Sequence, residues 1–138
     1  VDYGTGSLRE QLRALVGPEG VDVVLDPVGG DAFDQASRSV RRGSRVLVVG
    51  FASGRIPQYP TNIALLKESA VIGVNYQQFD AREPDLARRN FEALARLYAE
   101  GRVTPHIDQV VALDDAVRAL AALADRSVIG KVVVSMRD

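Results

Sequence analysis

Two stretches of this chain, Val23-Val24-Leu25 within residues 21–28 and Val46-Leu47-Val48-Val49, are apolar without alternation, and each runs into glycine, Gly29-Gly30 in one case and Gly50 in the other. A strand with one wet face alternates apolar and polar residues. A continuous run needs cover on both faces, which a parallel sheet between helices supplies. Between the two runs, Asp31 can cap a helix carrying Phe33, Ala36 and Val40 on one side, with Gly43 closing it. Strand, short loop, helix and strand in that order make the parallel crossover unit, and the pattern predicts a three-layer α/β sheet.

The remaining segments extend this reading. Ser7 precedes Glu10 by three residues, as in a capping box, and Leu8, Leu12 and Leu15 predict a helix from Ser7 to Val16, stopped by Gly17-Pro18. Residues 52–60, with Gly54, Pro57 and Pro60, read as loop, and a short helix starts at Thr61 or Asn62 and runs through Lys67. A third strand is expected from Ala70 to Tyr76, then a polar loop from Gln77 to Glu83. Pro84 suits the first turn of a helix whose stripe is Ala87, Phe91, Leu94, Ala95 and Tyr98, up to Gly101. Beyond it come a strand at Gln109–Leu113, Asp114 as a cap, a helix with Ala116, Val117, Leu120 and Leu123, and a strand at Val132–Val134. Three crossover strands leave sheet edges bare, so a further segment or a partner is expected to cover them.

Composition narrows the function classes. The 138 residues carry 17 basic and 18 acidic side chains, a net charge of −1, so no field gathers a nucleic-acid backbone or an anionic membrane. There is no cysteine, which removes disulfides, thiolate nucleophiles and cysteine zinc sites from this chain, so redox chemistry would come from a bound cofactor. No apolar run approaches the roughly 18 residues of a membrane span, and the first residues lack a secretory pattern; a cytoplasmic protein is the default expectation.

The stretch Asp22-Val-Val-Leu-Asp26-Pro-Val28-Gly29-Gly30 resembles a signature of the zinc-independent quinone oxidoreductases (NADPH:quinone reductases) of the medium-chain dehydrogenase/reductase superfamily. Gly43-Ser-Arg-Val-Leu-Val-Val-Gly50-Phe51-Ala52-Ser53-Gly54, Asn62 to Lys67 with Val71-Ile72-Gly73, Gly101-Arg-Val-Thr-Pro105, Val111-Ala-Leu113 and the closing Gly130-Lys131-Val-Val-Val follow in the family's order. Each motif alone is weak; their order and spacing over essentially the whole chain are specific. The resemblance implies a partial Rossmann-type doubly wound parallel sheet plus a C-terminal segment of a GroES-like catalytic domain. Residues 1–100 would form the second half of the dinucleotide-binding domain, and residues 101–138 the segment that returns to the catalytic domain. Val1-Asp2-Tyr3 would match the end of that domain's third strand. The glycine fingerprint that cradles the pyrophosphate, and the groups that read the adenosine ribose, have no counterpart in the sequence.

By the same resemblance Val28, Gly29, Gly50, Phe51, Ala52 and Lys131 would be cofactor-binding, and Asn75 and Tyr76 substrate-proximal. Residue by residue, plainer readings stand beside these. Gly29 and Gly30 also suit a turn that needs positive φ, Phe51 can fill core, and residues 75–79 can be an ordinary surface loop. For Lys131 a solvated lysine before a strand is the better reading from the residues alone. His106, the one histidine, has no cysteine or second histidine with which to share a metal, so no metal site is expected. Asp22 and Asp26 read as cap or turn acids, and Arg41-Arg42 and Arg88-Arg89 as solvated helix surface. Ser53 lacks the context of a nucleophile elbow.

The resemblance implies an enzyme that passes hydride from NADPH to a quinone or enone-type substrate, with catalytic side chains unknown because the cofactor carries the chemistry. The isolated chain is expected to be inactive. The alternative is a non-catalytic association module. In either case, Ala70-Val71-Ile72-Gly73-Val74 lies at the sheet edge where the family's subunits join, which predicts a homodimer through strand 70–76.

Overall fold

The structure, a computed structural model, describes residue 1 and residues 6–136. They form two compact units divided between Arg82 and Glu83. The expected strand end at Asp2-Tyr3 lies outside the described residues.

In the first unit, α1 (Leu8–Val16), β1 (Val21–Asp26), α2 (Gly30–Ser37), β2 (Val40–Val48), α3 (Thr61–Lys67), β3 (Ala70–Gly73) and α4 (Tyr76–Arg82) follow one another. The strands form one sheet in the order β1-β2-β3, all parallel, with Asp26 opposite Val48 and Val48 opposite Gly73. All three carboxyl ends therefore lie along one edge. The core is small. Phe33 of α2 and Val40 and Val46 of β2 are fully buried, with Val21, Val24, Val48 and Tyr59 packed around them. Phe33 and Tyr59 meet edge to face, ring centroids 6.1 Å apart, a favourable arrangement for the aromatic quadrupoles.

α1 begins as its sequence dictates, since the Ser7 hydroxyl accepts from the Glu10 N–H at 3.4 Å, and it ends at Gly17 with φ 80°. The Asp31 cap expected for α2 is replaced. Gly29 occupies the cap position without a side-chain bond, and Asp31 pairs with Arg55 instead. Gly43 does not close that helix, which stops at Ser37; Val40 to Val48 is strand, and Gly43, φ 74°, sits where the pairing slips. Between Val21↔Val40 and Val23↔Arg45 the second strand uses five residues against two, an irregularity that glycine accommodates. Arg41 and Arg42 are accordingly strand residues, ion-paired to Asp22 and Glu68 at 2.7 Å each.

The expected cover on both faces is also only half present. Val46 is sealed under α2 and Tyr59, whereas on the other face Val23 is 42% and Leu25 65% exposed. Among the described residues this unit has a covered face and an open one, so apolar continuity here marks surface that needs cover rather than surface already covered. The third strand ends at Gly73 instead of Tyr76, and the polar loop expected at 77–83 is α4.

The second unit contains α5 (Pro84–Ala99), β4 (Ile107–Ala112), a 3-10 turn at Leu113–Asp115, α6 (Ala116–Ala124) and β5 (Lys131–Ser135). Pro84 opens α5 as expected, because the first helical turn needs no donor there. β4 starts two residues before its expected position, and Asp115 rather than Asp114 precedes α6, without a side-chain cap. β4 and β5 pair in parallel as a separate two-stranded sheet. Ala87 and Ala119 are its buried apolar residues.

Candidate cofactor edge of the first sheet

The chain leaves β1 through Asp26-Pro27-Val28-Gly29 and β2 through Val49-Gly50-Phe51-Ala52, and backbone hydrogen bonds join the two exits. The amides of Val49 and Gly50 donate to the Asp26 carbonyl at 2.9 and 3.3 Å, that of Ala52 to Pro27 at 3.1 Å, and that of Ser53 to Val28 at 2.9 Å. The Gly54 amide turns back onto the Phe51 carbonyl at 2.8 Å. Among the described residues the Phe51 N–H has no acceptor. Gly50 and Ala52 on either side add little bulk, and Phe51 and Ala52 are exposed. The structure thus brings Val28, Gly29, Gly50, Phe51 and Ala52 together at the carboxyl edge of a parallel sheet, where open α/β sheets take their ligands.

Asp26 fixes the first loop. Its buried carboxylate accepts from the Val28 N–H at 3.0 Å and from the Gly29 N–H at 3.0 and 3.1 Å, so it is a turn acid, as the sequence suggested. Gly29 has φ 70° and ψ −153°, a region open essentially to glycine alone. Both loop glycines are buried. A Cβ on Gly29 would lie 2.8 Å from the Arg55 carbonyl oxygen and 3.2 Å from the Phe51 ring, and one on Gly30 2.7 Å from the Ser53 hydroxyl. The space these glycines leave is filled by the neighbouring loop, so close loop-to-loop packing demands them here.

Arg55 is the residue that sequence reasoning missed. Its guanidinium reaches Asp34 at 2.6 Å and Asp31 at 2.8 Å on α2, while its carbonyl accepts from the Gly30 N–H at 3.1 Å. The hydrogen bond to Asp34, ahead of that to Asp31, raises the Arg55 pKa above its ordinary value. No spacing rule links position 55 to positions 31 and 34, so only the fold reveals the clamp.

Asn75 and Tyr76 follow β3 at the same edge, where the Val74 N–H donates to the Val48 carbonyl at 2.9 Å. The Asn75 side-chain oxygen accepts from the Gln78 N–H at 3.0 Å and so caps α4. Asn75 followed three residues later by Gln78 was the available signal for that helix start. Tyr76 is 61% exposed and packs against Phe79, ring centroids 5.9 Å apart. Lys131 belongs to the second unit; it is exposed, and its N–H donates to the His106 carbonyl at 3.0 Å. Gly130 lies so close that a Cβ there would meet that carbonyl oxygen at 2.5 Å. Among the described residues no three His, Asp or Glu side chains gather as a metal site, and no helix is long and apolar enough to cross a membrane.

Comparison with known proteins agrees with this architecture. The family model described as zinc-binding dehydrogenase matches residues 1–134. The quinone oxidoreductase-like protein 2 of Bos taurus is 37% identical over 137 residues, covering 99% of this chain and 39% of that protein. The chain thus spans about two fifths of the length of such relatives. A quinone oxidoreductase from Pseudomonas syringae superposes with a TM-score of 0.78 at 24% identity over 97% of this chain and 41% of that one, a likeness of fold. A mycobacterial protein complexed with NADPH superposes with a TM-score of 0.76 at 25% identity over 97% of this chain and 41% of its own. Matched over nearly its whole length and built on a Rossmann-type parallel sheet, the chain belongs to the zinc-binding dehydrogenase family of medium-chain oxidoreductases, with quinone oxidoreductase-like proteins among its relatives.

Proposed function

We propose that this chain supplies the nicotinamide-facing side of the cofactor site in a reductase that transfers hydride from NADPH to a quinone or enone, without zinc ligands from these residues. The observation that carries the reading is the pair of stitched strand exits, with the Phe51 N–H lacking an acceptor between two small residues. A neutral amide donor beside exposed Ala52 suits the carboxamide and flat face of a nicotinamide, and bound NADPH would supply the hydride. Val28, Gly29, Gly50, Phe51 and Ala52 would line the ring, Asn75 and Tyr76 would border the substrate, and Lys131 would be a further cofactor-binding residue. NADPH as the cofactor is supported by the mycobacterial relative solved with it.

The parent protein would hold the pyrophosphate with a glycine loop that this sequence does not contain. In that reading residues 1–100 belong to the cofactor domain and residues 101–138 to a GroES-like catalytic domain, in a cytoplasmic homodimer. The purified chain should therefore show no quinone-dependent oxidation of NADPH, while a full-length protein carrying it should. Saturable turnover by the chain alone would overturn this assignment.

A second reading, a non-catalytic association module, is favoured by the open face at Val23 and Leu25 and by β3, exposed along its whole length. Titration with NADPH followed by fluorescence separates the two. Weak binding abolished by blocking position 52 supports the cofactor edge, and no binding together with stable dimers supports the module.

A further inference from the structure

At the opposite, amino edge of the same sheet the chain concentrates cations that the proposed reaction does not use. Arg9 and Arg13 of α1, Arg38 after α2 and Lys67 at the end of α3 line one cleft of about 160 Å³, with Glu19 as its sole acid. Elsewhere in this unit Arg41, Arg42 and Arg55 are ion-paired, while Arg45 and Arg82, which also meet no carboxylate among the described residues, do not line the cleft. Among the described residues Arg9, Arg13 and Lys67 meet no carboxylate, and the Arg38 guanidinium donates to the Asp34 carbonyl.

Helix dipoles explain part of this pattern but not all of it. α1, α2 and α3 all end beside the cleft, and a basic residue at a helix C-terminus is favourable. Three C-termini at about half a negative charge each, with Glu19, leave the four cations in excess by about 1.5 charges. Arg9 and Arg13 also stand four residues apart on α1, where like charges repel. A second groove of about 300 Å³ shares Arg9, Arg38 and Lys67 and continues along Pro60, Ile63 and Leu66. A cationic mouth leading into an apolar trough suits a ligand with an anionic end and an apolar body, and guanidinium forks match phosphate oxygens in particular.

We propose that this amino-edge cleft binds an organic phosphate, its phosphate among Arg9, Arg13, Arg38 and Lys67 and its apolar part along Ile63 and Leu66. The test is calorimetric titration of the 138-residue chain with phenyl phosphate, inorganic phosphate and phenylacetate, with amide NMR shifts to locate the binding. Phenyl phosphate should bind most tightly and move the amides of residues 9–20, 38–40 and 62–67. Arg13→Ala combined with Lys67→Ala should weaken it at least tenfold, and Arg88→Ala, a cation of the second unit, should leave it unchanged. Thermal melts in the absence of ligand check that each variant is folded. If the double variant melts early, the single change Arg13→Gln must still weaken binding while the melt stays at the wild-type midpoint. No binding at millimolar ligand, equal loss in Arg88→Ala, or shifts confined to residues 50–55 would overturn the site. Equal affinity for inorganic phosphate would overturn the apolar trough, and tighter binding of phenylacetate would overturn the phosphate assignment.

Discussion

Gly29 lies against the backbone of Arg55, so near that a Cβ at position 29 would come within 2.8 Å of the Arg55 carbonyl oxygen. Gly29→Ala meets that oxygen and must also hold φ 70°, ψ −153°, a conformation that costs a residue with a Cβ about 1–3 kcal/mol. For a unit of this size that is roughly 4–8 °C in melting temperature for each kcal/mol. A thermal melt unchanged by Gly29→Ala would show that the two loops are not packed as described.

Asp26 tests the same loop from its polar side. Asp26→Ala leaves the N–H groups of Val28 and Gly29 without their acceptor in a partly to fully buried position. An unsatisfied buried donor costs about 1–3 kcal/mol. Denaturant unfolding should show the loss, and Asp22→Ala, which removes only an exposed ion pair with Arg41, should cost about 0–1 kcal/mol. Equal costs for the two would remove the loop-fixing role from Asp26.

Asn75 separates a structural part from a substrate part. Since its side-chain oxygen caps α4, Asn75→Ala should cost about 1 kcal/mol of stability, and Asn75→Ser or Asn75→Asp should restore most of it. If the proposed substrate contact also holds, the capping replacements restore the melt without restoring KM for the quinone. Full recovery of both by Asn75→Asp would leave Asn75 with the helix alone.

The fold was legible wherever a local rule dominates. Ser7 before α1, Pro84 opening α5 and the valine runs of β1 and β2 each act within a few residues, and each lies in the element it predicted, although β2 already begins at Val40. Errors came where the deciding partner is distant. Gly43 reads as a helix stop until β1 is laid beside β2 and the register slips there. Leu25 reads as buried because the strand pattern records the cover it suits, while the described residues cover only the other face. At the candidate edge, the glycines read as loop positions, but the packing that demands them, the Arg55 loop beneath, is a contact across more than twenty residues with no pattern in sequence.

β3 carries the association prediction, and its hydrogen-bond phase chooses the variant. The Val74 N–H points inward to Val48, so by alternation Ile72 also donates toward β2, while the N–H groups of Val71 and Gly73 face the free edge. Val71→Pro therefore removes an outward donor and leaves the β2–β3 ladder intact, the position where an edge strand tolerates proline. If two copies pair through this edge, light scattering at about tens of micromolar should change from dimer to monomer with an unaltered melt. A dimer that survives Val71→Pro would place the interface elsewhere.

Ala52 bears on the proposed cofactor edge most directly. Its amide is tied to the Pro27 carbonyl at 3.1 Å, so its backbone is held, while its side chain is exposed beside the acceptor-free Phe51 N–H. Because position 52 is exposed, Ala52→Trp should leave the fold within about 0.5 kcal/mol, as for most surface changes. The introduced ring would occupy the space proposed for the nicotinamide. Misplacement of a reacting group by about 1 Å can cost about a hundredfold in rate. In a full-length protein carrying this chain, Ala52→Trp should thus depress kcat/KM for NADPH by about that factor, with Ile56→Trp, at an exposed position further along the loop, as the comparison for bulk alone. Steady-state kinetics beside thermal melts decide it: a folded Ala52→Trp variant with normal turnover and normal cofactor saturation would detach this edge from the nicotinamide altogether.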